Sequence, residues 1–200
     1  MEGRLSRRGF LQQSSVAAIA MPLMGPARGG AASDTSGHDL DAAASERLLV
    51  RLDVNGTMRE LQVEPRTTLA DALRELLGLR GTKIGCNRGA CSACTVWLDG
   101  APVCSCMLLA VDARRKVTTI EGLVDERDLH PVQAAFIEYD AVQCGYCTPG
   151  LVMSCAALLR DQPAATAEDI RRAISGHLCR CGTYPHVIAA TLAAARELKK

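Results

Sequence analysis

The chain has 200 residues, ten of them cysteine, with a formal net charge of +1 and only 3% aromatic residues. Near-neutral charge gives no electrostatic footprint for nucleic acid, and so few aromatics leave no stacking platform for single strands. A chain of this length allows one or two small domains with modest cores, so the ten cysteines are its dominant chemical feature.

Residues 1–32 have the order of a targeting segment. Ser6-Arg7-Arg8-Gly9-Phe10-Leu11-Gln12 is a twin-arginine motif behind a short basic start. A weakly apolar stretch from Val16 to Met24 comes next, and Gly30-Ala31-Ala32 offers a small-residue cleavage site. This predicts export to the periplasm by the twin-arginine pathway, which carries folded, cofactor-loaded proteins. The apolar run is too short to span a bilayer, and no other stretch qualifies, so no permanent membrane span is expected. Residues 33–46, rich in Ala, Asp, Ser and Gly, read as a linker.

Residues 47–122 read as a small sheet with one helix. Leu48, Val50, Leu52 and Val54 alternate on one strand face, Asn55-Gly56 supplies a hairpin turn, and Leu61 and Val63 continue the return strand. Thr68 is placed to cap a helix with Leu69, Leu73 and Leu76 on one face. A Gly- and Cys-rich loop runs from Gly81 to Cys94. A second hairpin comes after it, with Thr95 to Leu98, the turn Asp99-Gly100, and Val103 to Met107. A last strand is expected from Lys116 to Ile120. This order resembles the ferredoxin-type β-grasp fold.

Residues 123–200 read as four short helices. Pro131, Pro149 and Pro185 each sit where a helix can begin. Leu151, Cys155, Leu158 and Leu159 form one apolar stripe. Thr166 caps a helix carrying Ile170 and Ile174, and Val187, Ile188 and Leu192 mark the last. The expected class is α+β, a ferredoxin-like β-grasp domain followed by a four-helix-bundle domain.

Cys86-x4-Cys91-x2-Cys94 with a distant fourth cysteine is the plant-type 2Fe–2S spacing. Two irons bridged by two sulfides need four thiolates around a flat rhomb, and a tight loop can supply three. Gly85 and Gly89 allow the backbone to approach the sulfurs closely. On spacing alone, the fourth ligand is either Cys104 or Cys106. The second set is Cys144-x2-Cys147 with Cys179-x-Cys181. Two close pairs can also describe a structural zinc site. The Cys-x-Cys pair is less usual for zinc, and an iron–sulfur set already lies upstream. A disulfide framework does not explain tight three-cysteine loops with interleaved glycines. Cys155 falls on an apolar helix face and reads as a small buried hydrophobe. His130, His177 and His186, beside helix ends, read as caps or surface residues. No acid–base pair, nucleophilic triad or phosphate loop is present, so the chain is expected to move electrons without performing bond chemistry.

With both sets placed, the chain resembles the iron–sulfur subunit of the molybdenum hydroxylases, the xanthine oxidase and aldehyde oxidoreductase family, and within it the periplasmic aldehyde oxidoreductases. The resemblance runs from about Leu48 to Ala195. It rests on Gly81-Thr82-Lys83-Ile84-Gly85-Cys86, Cys91-Ser92-Ala93-Cys94-Thr95-Val96, Gln143-Cys144-Gly145-Tyr146-Cys147-Thr148-Pro149-Gly150 and Leu178-Cys179-Arg180-Cys181-Gly182-Thr183-Tyr184. It implies two 2Fe–2S clusters and selects Cys106 as the fourth ligand beside Cys86, Cys91 and Cys94. It assigns Cys144, Cys147, Cys179 and Cys181 to the second cluster. It also implies that Gln143 and Cys181 reach the molybdopterin cofactor of a large partner subunit, with FAD on a further subunit. Electrons would pass from molybdenum through the helical-domain cluster and the β-grasp cluster to flavin or an external acceptor.

Arg88 stands where relatives often carry acidic, Gln or Gly residues. The ending Cys-Arg-Cys-Gly-Thr-Tyr replaces the commoner Cys-Arg-Cys-Thr-Gly-Tyr, and it occurs in both aldehyde-type and N-heterocycle-type enzymes. The expected reaction is oxidation of aldehydes to carboxylic acids. The alternatives are an isoquinoline- or nicotinate-type N-heterocycle hydroxylase and a free-standing two-cluster electron carrier. The helical half argues against the carrier, which needs only the β-grasp half. A zinc-stabilised interaction module is the remaining class, and it would be colourless where an iron–sulfur protein is red-brown.

Overall fold

Alternating apolar residues on either side of Asn55-Gly56 form a hairpin in the computed structural model, which describes residues 46–124 and 129–198. Strands β1 (Leu48–Val54) and β2 (Thr57–Val63) pair antiparallel from Leu48↔Val63 to Val54↔Thr57. Asn55 and Gly56 take φ of 54° and 76°, as a two-residue turn of the primed type requires. Val50, Leu52 and Val54 are buried, while Leu48 at the strand's start is 40% exposed. The targeting segment 1–32 and linker residues 33–45 lie outside the described residues.

Thr68 caps helix α1 (Leu69–Asp71) by accepting the Asp71 N–H at 3.1 Å. The helix continues as a π-helical turn over Ala72–Leu76. That wider turn rotates the third residue of the expected apolar face outward: Leu69 and Leu73 are fully buried, but Leu76 is 49% exposed.

Strands β3 (Thr95–Leu98) and β4 (Ala101–Cys104) join through Asp99 and Gly100, both at positive φ. The strand expected to reach Met107 stops at Cys104, and Ser105–Met107 forms a 3-10 turn. The last strand, β5 (Val117–Thr118), is shorter than expected because Ile120 opens another 3-10 turn. The five-stranded sheet has the order β2-β1-β5-β3-β4, with β5 parallel to β1 and antiparallel to β3. Leu52, Val63, Leu69, Leu73, Val96 and Val117 fill the core beneath it.

Among the described residues of the second half there are four helices: α2 (Pro131–Glu138), α3 (Thr148–Asp161), α4 (Ala167–Ala173) and α5 (Tyr184–Glu197). Each of the three expected prolines lies in a first turn, where its missing N–H costs no helical hydrogen bond. Thr166 and Asp169 form a capping box on α4. His130 caps α2, its Nδ1 accepting the Val132 N–H at 3.2 Å. Phe136, Leu151, Cys155, Leu159, Ile170 and Val187 lie in the core of this half. The class is α+β, as the sequence leads one to expect.

The halves meet along α3. Trp97 Nε1 donates to the Met153 carbonyl at 2.9 Å, and the Arg160 guanidinium lies 4.9 Å from the Trp97 ring centre. Arg160 also donates to the Gly100 carbonyl at 2.9 Å. At Gly150 there is no room for a side chain. A Cβ there would overlap the Ser92 carbonyl oxygen and lie 3.2 Å from Ala93 Cα. No described helix is long and apolar enough to cross a membrane.

Candidate metal centres

All ten cysteines are free thiols, and the eight expected ligands gather in two places. In the first, Asn87, Gly89 and Ser92 sit at positive φ (51°, 70° and 55°). Alternating handedness of this kind turns successive amides inward, making a concavity of N–H donors. Arg88 and Ala90 donate to Cys86 Sγ at 3.4 and 3.2 Å, and Gly89 donates to Cys106 Sγ at 3.3 Å. Gly85 leaves the sulfur room here, because a Cβ would stand 3.0 Å from Cys91 Sγ. Cys91, Cys94 and Cys106 are buried and Cys86 is half-buried.

The thiols meet in pairs. Cys86 contacts Cys91, and Cys94 contacts Cys106. In the helical half, Cys144 contacts Cys181, and Cys147 contacts Cys179. Among the described residues, no three His, Cys, Asp or Glu side chains gather around one point as a single ion would need. Four thiols that touch two and two match the ligand number of a two-metal group, each metal taking two protein ligands. The donor set, four thiolates with amides aimed at sulfur, fits a 2Fe–2S cluster in both places.

Each set pairs an easily ionised thiol with a reluctant one. The Arg88 amide leads in bringing Cys86 down to about 7, and burial pushes Cys94 up to about 12. Burial, then the Cys179 contact, raises Cys147 to about 12. Burial also works to raise Cys179, but the Thr183 hydroxyl and amide outweigh it and bring that thiol down to about 7. Thiolate is the ligating form, so loading either set releases protons.

Cys104 lies close to Cys94, at the end of β4, so it is not remote from the first set. Its thiol faces oxygens, Gly89 O at 3.9 Å and Ser92 Oγ at 3.8 Å. Cys155 is fully buried on α3, and burial pushes its thiol up to about 12. Cys144, Cys181 and Gln143 are exposed.

Two hydrogen bonds tie the sets together. The Leu178 N–H donates to the Cys91 carbonyl at 3.1 Å, and the Tyr146 hydroxyl donates to the Ile84 carbonyl at 2.6 Å. Leu178 is bonded to Cys179, so one hydrogen bond and one residue of backbone join a cysteine of each set. Sequence reasoning missed both links, although Tyr146 lies inside the Cys144-x2-Cys147 loop. His177, read as a cap or surface residue, is instead 5% exposed and bonded through Nε2 to Ser154 Oγ at 2.7 Å. Burial holds its ring down to about 4, so it is neutral near pH 7. His186 stays exposed, its Nδ1 3.0 Å from the Tyr139 carbonyl.

Residues 52–119 match the family described as 2Fe-2S iron-sulfur cluster binding domain, and residues 119–192 match the 2Fe-2S binding domain family. Over 172 residues the chain is 45% identical to the aldehyde oxidoreductase iron-sulfur-binding subunit PaoA of Escherichia coli O157:H7, covering 78% of this chain and 75% of that one. The crystal structure of quinoline 2-oxidoreductase from Pseudomonas putida 86 has a chain 42% identical, with a TM-score of 0.74, covering 78% of this chain and 98% of that one. The aldehyde oxidoreductase of Desulfovibrio desulfuricans ATCC 27774 matches at 41% identity and a TM-score of 0.71, over 76% of this chain but only 17% of that longer polypeptide.

Proposed function

The chain belongs to the family of iron–sulfur subunits of the molybdenum hydroxylases, and on that premise we propose a ligand set, a partner face, a substrate and a location for it. As a member it is the electron-transfer subunit of an oxidoreductase complex. Cys86, Cys91, Cys94 and Cys106 hold one 2Fe–2S cluster, and Cys144, Cys147, Cys179 and Cys181 hold the other. When bound, each cluster stores and releases one electron. The pairing of thiols, two and two in each set, carries this reading. The Arg88, Gly89 and Ala90 amides stabilise negative charge at sulfur, and the Leu178–Cys91 hydrogen bond joins the two sets through backbone.

A large molybdopterin-binding subunit docks where Gln143, Cys144 and Cys181 are exposed, and FAD lies on a further subunit. The exposed Gln143 amide, able to donate and accept in one plane, orients the pterin edge. Gln143→Ala should leave both clusters loaded and their spectra unchanged. Single-turnover reduction of the clusters by the large subunit should fall several-fold to a hundredfold, the scale of a lost buried polar contact of about 1–3 kcal/mol. Wild-type reduction with full clusters would remove the contact.

The substrate is an aldehyde, oxidised to a carboxylic acid, a reading supported by the likeness to the Escherichia coli aldehyde oxidoreductase subunit and by the targeting segment. The likeness to quinoline 2-oxidoreductase favours an N-heterocycle as the second reading. Assay of the purified complex on an aromatic aldehyde and on quinoline separates them.

The assembled complex works in the periplasm, exported through the twin-arginine motif. Arg7→Lys with Arg8→Lys keeps the charge but removes the paired guanidinium groups. Loaded protein should then accumulate in the cytoplasm, together with any partner lacking its own signal. Undiminished periplasmic activity would contradict the location.

A further inference from the structure

We propose that the buried Ser154–His177 pair is a positioning element that holds the Leu178 N–H on the Cys91 carbonyl, and so sets the coupling between the two cysteine sets. The proposal rests on the two-cluster reading of these sets. Helix α3 buries Met153, Ser154 and Cys155 together, and Ser154 is the one hydroxyl among them. Its partner lies 23 residues away in a segment that is not helical, immediately before Leu178 and Cys179. His177 Nδ1 has no partner among the described residues, so the Ser154 hydroxyl is the one polar contact fixing the ring.

The backbone around that ring is held on both sides, but only the ring ties it to α3. The Tyr184 hydroxyl donates to the His177 carbonyl at 2.9 Å and accepts the Cys179 N–H at 2.8 Å. Tyr184 therefore restrains the segment from the Cys179 side. On the other side, the His177 N–H donates to the Ile174 carbonyl at 2.9 Å, and the ring adds the tie to α3 through Ser154.

The other partner of the bridge is referenced to the same helix. Ser92 and Ala93, which come directly after Cys91, seat against Gly150 with no room for a Cβ. Gly150 and Ser154 are four residues apart, so they lie one turn apart on one face of α3. One helix turn thus fixes the acceptor through Gly150 and the donor through Ser154. Gly176 adds a third contact, with its would-be Cβ position 3.4 Å from Ser92 Oγ. A pair that merely filled the core would have no reason to sit opposite the bridge it aligns.

The test uses the full chain purified with both clusters, and three variants. Ser154→Ala and His177→Met remove the bond while keeping the site filled. His177→Gln can return a nitrogen near the Nε2 position. Hydrogen exchange at the Leu178 amide is read relative to the amides of β1 and β2, together with the magnetic splitting between the two reduced clusters. In Ser154→Ala and His177→Met, relative protection at Leu178 should fall at least tenfold and the splitting should weaken, with iron and sulfide content retained. His177→Gln should recover most of both. Wild-type protection and splitting in a loaded Ser154→Ala protein would overturn the proposal. His177→Gln behaving like His177→Met would do the same, since ring shape rather than the hydrogen bond would then matter. Absence of sulfide from the unsubstituted protein would instead refute the two-cluster reading, and Leu178 exchange could still be measured.

Discussion

Cys106→Ser is expected to remove one cluster outright, while Cys104→Ser leaves both in place. The two residues are close in sequence and both lie near Cys94, so proximity does not separate them. Electrostatics does. A ligating thiolate needs N–H donors around it, and Cys106 Sγ accepts the Gly89 N–H at 3.3 Å from a buried position. Cys104 Sγ faces the Gly89 carbonyl oxygen instead, at 3.9 Å, and no N–H among the described residues is aimed at it. The end of β4 explains the difference, because the chain leaves the strand after Cys104 and the 3-10 turn carries Cys106 under the loop. Serine at 106 offers a hydroxyl that does not ionise near neutral pH. Iron should drop from about four to about two per chain, with loss of one paramagnetic signal on reduction. Cys104→Ser should keep about four. The opposite pattern would mean that the chain turns differently after β4.

The second large effect is on the seam between the halves. Gly150→Val should destabilise the protein by about 3 kcal/mol, lowering the thermal midpoint by roughly 6–12 °C. A Cβ at this position overlaps backbone atoms of Ser92 and Ala93, which cannot swing aside as a side-chain tip could. Relief requires α3 to move off the first cysteine loop. Movement there strains the Trp97–Met153 and Leu178–Cys91 hydrogen bonds, each worth about 1 kcal/mol. Replacing glycine in a helix ordinarily gains stability, but valine forfeits much of what alanine would gain, and overpacking opposes the remainder. An unchanged midpoint would show that the seam is slack.

Features set by neighbouring residues were legible in the sequence. The Asn55-Gly56 hairpin, the Thr68 and Thr166 caps and the three proline helix starts each depend on chemistry within a few positions. The gathering of the cysteines into two sets is dictated by their spacing, because tight loops leave few ways to place three or four thiols. Contacts made when the halves pack were not legible. Nothing periodic marks Ser154 as the partner of His177, or Tyr146 as the partner of Ile84, 62 residues earlier. Leu76 was misplaced because the apolar spacing fits an ordinary helix, whereas the chain takes a π-helical turn there. The strand expected through Met107 failed for a related reason: burying Cys106 beneath the loop requires the backbone to leave the sheet.

Iron, zinc and acid-labile sulfide, measured on one preparation of the full chain, test most directly whether it carries two iron–sulfur clusters. About four iron and four sulfide per chain are expected, with two distinguishable paramagnetic signals on reduction because the clusters sit in different folds. Stoichiometric zinc without sulfide would contradict the two-cluster assignment.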